Sequence, residues 1–299
     1  MKALVAGWFS FEEMGATAGD LISRDLAGEW LREAGYECHI AHAPPFSDGV
    51  DWRAVDPSQY DLVVFVCGPF GKNELTSEFL SRFPGARLVG LNLSMLQPLD
   101  VWNPFDLLLE RDSDRTSRPD ISFLSERTLV PVVGVVLVHP QEEYGGRAMH
   151  GAANEAVRRL LSGREVAAVP IDTRLDVNET GLRTSAEVES LVARMDLLVT
   201  TRLHGTALSI KNGVPAIVID PIAGGAKVKR QADTLGWPLV FTADSLRDET
   251  LSEAFDYCLT PQARARAREC RERARAIVKA VRDEFIAAHV RADGPAGRR

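Results

Sequence analysis

Short apolar runs of strand length recur through the first part of the chain: KALVAG, YECHIA, DLVVFVC, ARLVGL and FDLLL. Amphipathic stretches separate the earlier ones, an alternation that predicts a parallel sheet with helical crossovers. The first helix is expected over Thr17 to Ala34. Ile22, Leu26 and Trp30 fall on one face, Thr17 with Asp20 fits a capping box, and Gly35 fits the stop. A polar stretch, ERDSDRTSRPD, follows Leu109, and the pattern then restarts. VPVVGVVLV, a helix from about Arg147 to Leu161, EVAAVP, a short helix near Ala186 to Ala193, DLLVT, a helix after His204, PAIVI and PLVF complete the second half.

Two halves of strand-helix alternation joined by a linker predict an α/β fold of two Rossmann-like domains facing each other across a cleft. The expected divisions are residues 1–125, residues 126–259, a long C-terminal helix over 260–290 and a flexible tail over 291–299. Thr260 and Pro261 suit the start of that helix. Its stripe of Ala267, Cys270, Ala274, Ile277, Val281 and Phe285 is expected to pack back on the first domain.

Composition narrows the class. With 299 residues, 45% hydrophobic and 26% charged, the chain can bury the cores of two domains. The formal net charge of -7 argues against broad nucleic-acid binding, so an anionic ligand must meet a local basic cluster. Cys38, Cys67, Cys258 and Cys270 lack the paired spacing of a zinc or redox site and are expected reduced and buried. MKALVAGWFSFEEMG lacks the length and flanks of a signal or membrane segment, so a cytoplasmic protein without membrane insertion is expected. The sequence does not indicate an oligomeric state.

The chemistry concentrates in DLLVTTRLHGTALSIKNGVPAIVID, residues 196–220. In an open parallel sheet, ligands bind beyond the carboxyl ends of the strands, where helix N-termini offer free N–H groups to anions. Arg202 and His204 fall at such a place. The small residues Gly205, Thr206 and Ala207 are expected to let a ligand approach the helix start. A guanidinium can grip a carboxylate or phosphate through two parallel hydrogen bonds, and a histidine suits proton transfer near neutral pH. The bland alternative is a surface ion pair for Arg202 and a capping role for His204.

The segment resembles the polysaccharide pyruvyl transferase family in its Arg202-Leu203-His204 triplet, small-residue helix and Gly213-Val214-Pro215. Other motifs follow in the family's order. ATAGDLISRDLAGEWLREAGY is similar to its N-terminal G-D and helix, placing Asp20. YDLVVFVCGPFG stands where the glycine-rich loop is found, placing Gly68, and LLLERDSD resembles the R-D stretch, placing Arg111. RPDISFL is similar to the P-D-x-x-F preceding the second domain, and KVKRQADTLGW puts Lys227 at the family's lysine position. The departures are GPFG in place of a glycine run, Asp114 where a serine is common, and no clear counterpart of an arginine after the first strand of the second domain. His139 and Arg147 lie near that gap.

The resemblance implies transfer of the pyruvyl unit of phosphoenolpyruvate, on the side of the second domain, to hydroxyls of a sugar or glycan on the side of the first, giving a cyclic ketal and phosphate. Arg202 and Lys227 would neutralise the donor and His204 would be the general acid, with Asp20, Arg111, Gly68, His139 and Arg147 as further substrate-binding candidates. No cofactor is implied, and the six histidines form no metal-ligand pattern. Two rivals stand beside this reading. A GT-B-like glycosyltransferase would use a nucleotide sugar and an acidic residue for the ribose, with Asp172 or Asp220 available. A homologue that binds ligand without turnover would fit an incomplete donor site. Trp8, Phe9 and Phe11 could stack on a sugar or fill the core.

Overall fold

A computed structural model of the chain describes residues 1–12, 14–139 and 142–292. The chain divides into two units, Met1–Thr128 and Leu129–Arg299. Residues 293–299, most of the expected tail, lie outside the described residues.

The five apolar runs of the first unit become five strands of one sheet. In chain order the elements are β1 (Lys2–Ala6), α1 (Ala18–Glu33), β2 (Glu37–Ile40), β3 (Leu62–Val66), β4 (Pro69–Phe70), α2 (Glu74–Arg82), β5 (Arg87–Leu91), β6 (Ser94–Met95) and β7 (Leu107–Leu109). The main sheet runs β2-β1-β3-β5-β7 with every pairing parallel, while β4 and β6 form a separate two-stranded ladder. The central strand β3, LVVFV, is buried along its whole length, as a strand covered by helices on both faces must be. Helix α1 starts at the expected cap: Asp20 N–H donates to Thr17 Oγ1 and Thr17 N–H donates to Asp20 Oδ2 at 2.7 Å.

Trp8, Phe9 and Phe11 are buried, so the aromatic run after β1 fills the core rather than presenting a face to a sugar. Trp8 lies edge-on to Phe65 and beside Phe11, and its indole N–H donates to the Pro69 carbonyl at 3.0 Å.

The second unit repeats the scheme with β8 (Val132–Val136), α3 (His150–Ser162), β9 (Ala167–Pro170), α4 (Ser185–Val192), β10 (Leu197–Thr200), α5 (Leu203–Lys211), β11 (Ala216–Asp220), α6 (Lys227–Leu235), β12 (Val240–Thr242), α7 (Asp248–Cys258) and α8 (Pro261–Ala292). Its sheet is β12-β11-β10-β8-β9, again wholly parallel. The α/β class, the two Rossmann-type sheets and the long final helix therefore match the sequence reading. Helix α3 begins three residues later than expected, because residues 142–147 form a 3-10 turn kinked at Gly145.

In this strand order the chain leaves β8 toward β9 on one side and returns to β10 on the other. The carboxyl ends of β8 and β10 thus flank the topological switch point, where the diverging loops open a crevice. Helix α8 packs on α5, α6 and α7 of its own unit, with Ala263, Ala267 and Cys270 buried against them. Those helices receive the start of its apolar stripe, and Ile277 and Val281 further along are exposed. All four cysteines are free thiols, buried except for the half-buried Cys38. Among the described residues no helix is long and apolar enough to cross a membrane.

Candidate functional site

Two threonines tie the carboxyl ends of β8 and β10 together. Thr201 N–H donates to the Val136 carbonyl at 2.9 Å, and Thr201 Oγ1 accepts from Val138 N–H at 2.7 Å. Thr200 Oγ1 accepts from Arg202 N–H at 3.0 Å, and the Thr206 hydroxyl donates to the Arg202 carbonyl at 3.1 Å. Both threonines are fully buried, which fixes the backbone from which Arg202 and His204 emerge. Gly205 is equally constrained: a Cβ there would lie 2.1 Å from Thr200 Oγ1 and 3.1 Å from Val136 Cγ1. The glycine lets α5 press onto the sheet, so its smallness serves the helix-strand contact rather than a ligand.

Arg202 is the N-cap residue of α5, in an extended conformation that makes no side-chain cap bond. Its guanidinium turns instead to Asp172, just beyond β9, with Nη1 donating to Oδ1 at 3.1 Å. The other carboxylate oxygen, Oδ2, lies 3.2 Å from His139 Nε2, so one carboxylate joins the arginine and the histidine. Asp172 is 7% exposed, and the Arg174 N–H also donates to it at 2.9 Å. Burial works against its charge, yet the hydrogen bonds from Arg174 and His139 hold its carboxyl below the usual range. Burial lowers the Arg202 guanidinium from its ordinary value and Asp172 opposes the shift; a guanidinium remains charged at any physiological pH.

His204 stands on the first turn of α5 and is exposed. Together with Val138, Thr201, Arg202, Leu203, Lys227 and Val228 it lines a hollow of about 170 Å³. Lys227 arrives from the first position of α6, its Nζ 5.7 Å from the centre of the Tyr144 ring, a cation–π distance. The segment carrying Tyr144 is docked here because Met149 N–H donates to the Pro221 carbonyl and Ala223 N–H to that of Arg147. Arg147 is itself exposed and does not line this hollow. The structure therefore brings Arg202, His204 and Lys227 to one place, with His139 joined to it through Asp172.

The first-unit candidates have other work. The Asp20 carboxylate closes the capping box of α1, accepting from the Thr17 N–H and hydroxyl. Gly68 has a φ of 82°, and a Cβ there would lie 2.4 Å from the Trp8 ring, so indole packing requires the glycine. Arg111 donates to Asp112 at 3.2 Å, to Asp120 at 3.1 Å and to Ser94 Oγ. Asp120 also accepts from buried Asn92 Nδ2 at 2.9 Å. Burial opposes its charge, but the bonds from Asn92, Ser122 and Arg111 bring its carboxyl down to about 2.

The rival ribose-binding carboxylates are likewise engaged. Asp220 is fully buried and accepts from the N–H groups of Ile222, Ala226 and Lys229 at 3.1, 2.6 and 2.8 Å, which fastens the start of α6. Asp172 is held as described above. The residues alone offer Asp172 to a ribose and do not show it as the partner of Arg202 and His139, and they give Thr201 no role. A polar pair closing an apolar strand immediately before Arg202 was the available signal for the threonine.

Residues 119–221 match the polysaccharide pyruvyl transferase family model. The resemblance read from the residues holds over this segment, which carries His139, Asp172, Arg202 and His204 and stops short of Lys227. It supports a transferase of the kind that modifies polysaccharides. No curated protein matches the chain. Among solved structures, the chain is similar to CalG4, the calicheamicin glycosyltransferase, at 14% identity and a TM-score of 0.36, over 98% of this chain and 100% of that one. It is also similar to the spinosyn rhamnosyltransferase SpnG complexed with thymidine diphosphate, at 12% identity and a TM-score of 0.34, over 92% and 96%. A third is Acinetobacter baumannii MurG, at 13% identity and a TM-score of 0.32, over 91% and 95%.

Proposed function

We propose that the chain is a pyruvyl transferase-like enzyme that moves the pyruvyl group of phosphoenolpyruvate to two hydroxyls of a sugar or glycan, forming a ketal and releasing phosphate. The observation that carries this reading is the convergence of Arg202, His204 and Lys227 on one hollow at the switch point of the second unit, two of them within the segment that matches the family.

The donor places a carboxylate and a phosphate on a three-carbon enol. Arg202 and Lys227 supply two positive charges, and the start of α5 adds backbone N–H groups that no side chain caps. His204, on the first turn of that helix, delivers a proton to the methylene carbon. The adjacent carbon then takes on oxocarbenium character and accepts the first sugar hydroxyl. The bond to the phosphate oxygen breaks, and the second hydroxyl closes the ring. Two hydroxyl protons are lost in all: one replaces the proton now on the methyl group, and the other departs with phosphate or solvent. This sequence uses only groups on the protein and its two substrates.

The test is to supply phosphoenolpyruvate with a panel of diol-bearing sugars and follow inorganic phosphate together with ketal formation. Phosphate release that requires a sugar supports the reading. Absence of release across the panel, with turnover of a nucleotide sugar instead, overturns it in favour of a glycosyltransferase.

A further inference from the structure

A second hollow lies beside the first in the same unit. It measures about 380 Å³ and is lined by Val135, Leu137, Val138, Pro170 and Ile171 as an apolar floor, with His139, Asn154, Asp172, Glu179 and Thr180 as its polar edge. Val138 lines both hollows, and the Asp172–Arg202 hydrogen bond connects them. Their chemistry differs. The smaller hollow presents Arg202, His204 and Lys227, whereas the larger presents two carboxylates, an amide, a hydroxyl and the imidazole of His139.

Asn154 gives the clearest indication of what fits. Its Oδ1 is buried and has no hydrogen-bond partner among the described residues, an acceptor that a ligand hydroxyl would satisfy. The rim is fixed in place: Asn178 Oδ1 accepts from the N–H groups of Thr180 and Leu182 at 2.9 Å each, and Asp172 N–H donates to Thr180 Oγ1 at 3.2 Å. A floor of aliphatic side chains edged by acceptors suits a ring with an apolar face and outward hydroxyl donors, and it disfavours an anion.

We infer that this larger hollow is a subsite for a neutral sugar ring, holding the acceptor's hydroxyls next to the donor on the second unit. The inference rests on the donor reading above and deepens it by placing part of the acceptor there.

Saturation-transfer NMR on the full chain tests it, with methyl β-D-glucopyranoside and methyl β-D-galactopyranoside as probes and phosphorus NMR reporting phosphoenolpyruvate separately. Saturation of at least one glycoside is expected, weakened about tenfold in Asn154→Leu and in Glu179→Gln, while phosphoenolpyruvate binding is retained. Asn154→Leu removes an unsatisfied acceptor at nearly constant volume, so an unchanged or raised melting temperature confirms that the variant is folded. Equal saturation in the variants and the unaltered chain overturns the inference, as does no saturation while phosphoenolpyruvate is bound. Stronger saturation of uridine monophosphate that depends on the same two residues also overturns it, in favour of a nucleotide pocket. If phosphoenolpyruvate fails to bind but glycoside saturation still depends on Asn154 and Glu179, the sugar subsite stands and the donor reading falls.

Discussion

Arg202 Nη1 lies 3.1 Å from Asp172 Oδ1, so the cation proposed to hold an anionic donor already has an anionic partner within the protein. The pair is largely out of water, with side-chain exposures of 17% and 7%. Asp172→Asn keeps the shape and one acceptor oxygen while removing the charge. The free protein should lose about 2 kcal/mol, because a poorly solvated guanidinium is left unpaired. The donor should then bind the variant more tightly, since no carboxylate competes for Arg202. Melting curves with and without phosphoenolpyruvate check both effects: the ligand should raise the melting temperature of the variant by more than that of the unaltered chain. A smaller rise would show that Asp172 assists the donor rather than competing with it.

His204 has one proposed task, donation of a proton to carbon. His204→Gln preserves a hydrogen-bonding side chain on the first turn of α5 without the ability to titrate. Turnover should fall about 10²- to 10⁴-fold, with the dissociation constant for phosphoenolpyruvate unchanged. Phosphate release and calorimetric titration measure the two quantities, and turnover at the original rate would remove the acid role.

Lys227 differs from Arg202 in its surroundings, since its ammonium rests near the Tyr144 ring. Lys227→Met keeps an unbranched stem of similar length but deletes the charge and, with it, the cation–π contact. Affinity for phosphoenolpyruvate should fall about tenfold or more, the usual worth of a hydrogen bond to a charged group. Stability should barely change, and calorimetry beside a melting curve separates the two effects.

Most of the architecture was legible because parallel strands covered on both faces read as uninterrupted apolar runs, and each run expected from the residues became a strand. The place of Arg202 and His204 was legible for a related reason, because strand ends and helix starts fix where the chain must pass, whereas Lys227 was placed by its resemblance to the family's lysine segment. What the residues hid was which polar groups the protein itself would engage. Asp220 and Arg111 sit at plausible ligand positions in the sequence, and in the structure they fasten α6 and bind Asp112 and Asp120 respectively. Hydrogen-bond partners distant in sequence, such as Asp172 for Arg202, leave no periodic trace. The same holds for Gly68 and Gly205, whose roles depend on Trp8 and Thr200 rather than on any ligand.

The network around Asp120 predicts a specific acid response. Its carboxyl is held at about 2, below the ordinary 3.8. A group whose pKa is depressed on folding adds stability above its unfolded value and loses it as pH falls through its folded value. The contribution, about 2 kcal/mol, should therefore be full above pH 4 and fade between about pH 4 and 2. Asp120→Asn should be less stable than the unaltered chain near neutrality, and the gap should close over that interval. Urea unfolding at a series of pH values measures it, and a gap independent of pH would assign the cost to packing instead.

The contact between Gly205 and Thr200 tests whether the start of α5 is held by the sheet. In Gly205→Ala the new methyl would meet Thr200 Oγ1 at 2.1 Å, too close for either atom to tolerate, so α5 must move away from β10. The expected cost is about 2 kcal/mol, together with weaker phosphoenolpyruvate binding as Arg202 and His204 shift with the helix. Adding Thr200→Ala removes the clashing oxygen and should recover part of the melting temperature. It also removes the acceptor of the Arg202 N–H, so donor affinity should stay low. The double-mutant cycle thus gives coupling in stability without matching recovery of binding. If the double variant regained both, the hydroxyl would matter only as bulk, and the geometry of Arg202 would have to be set by Asp172 alone.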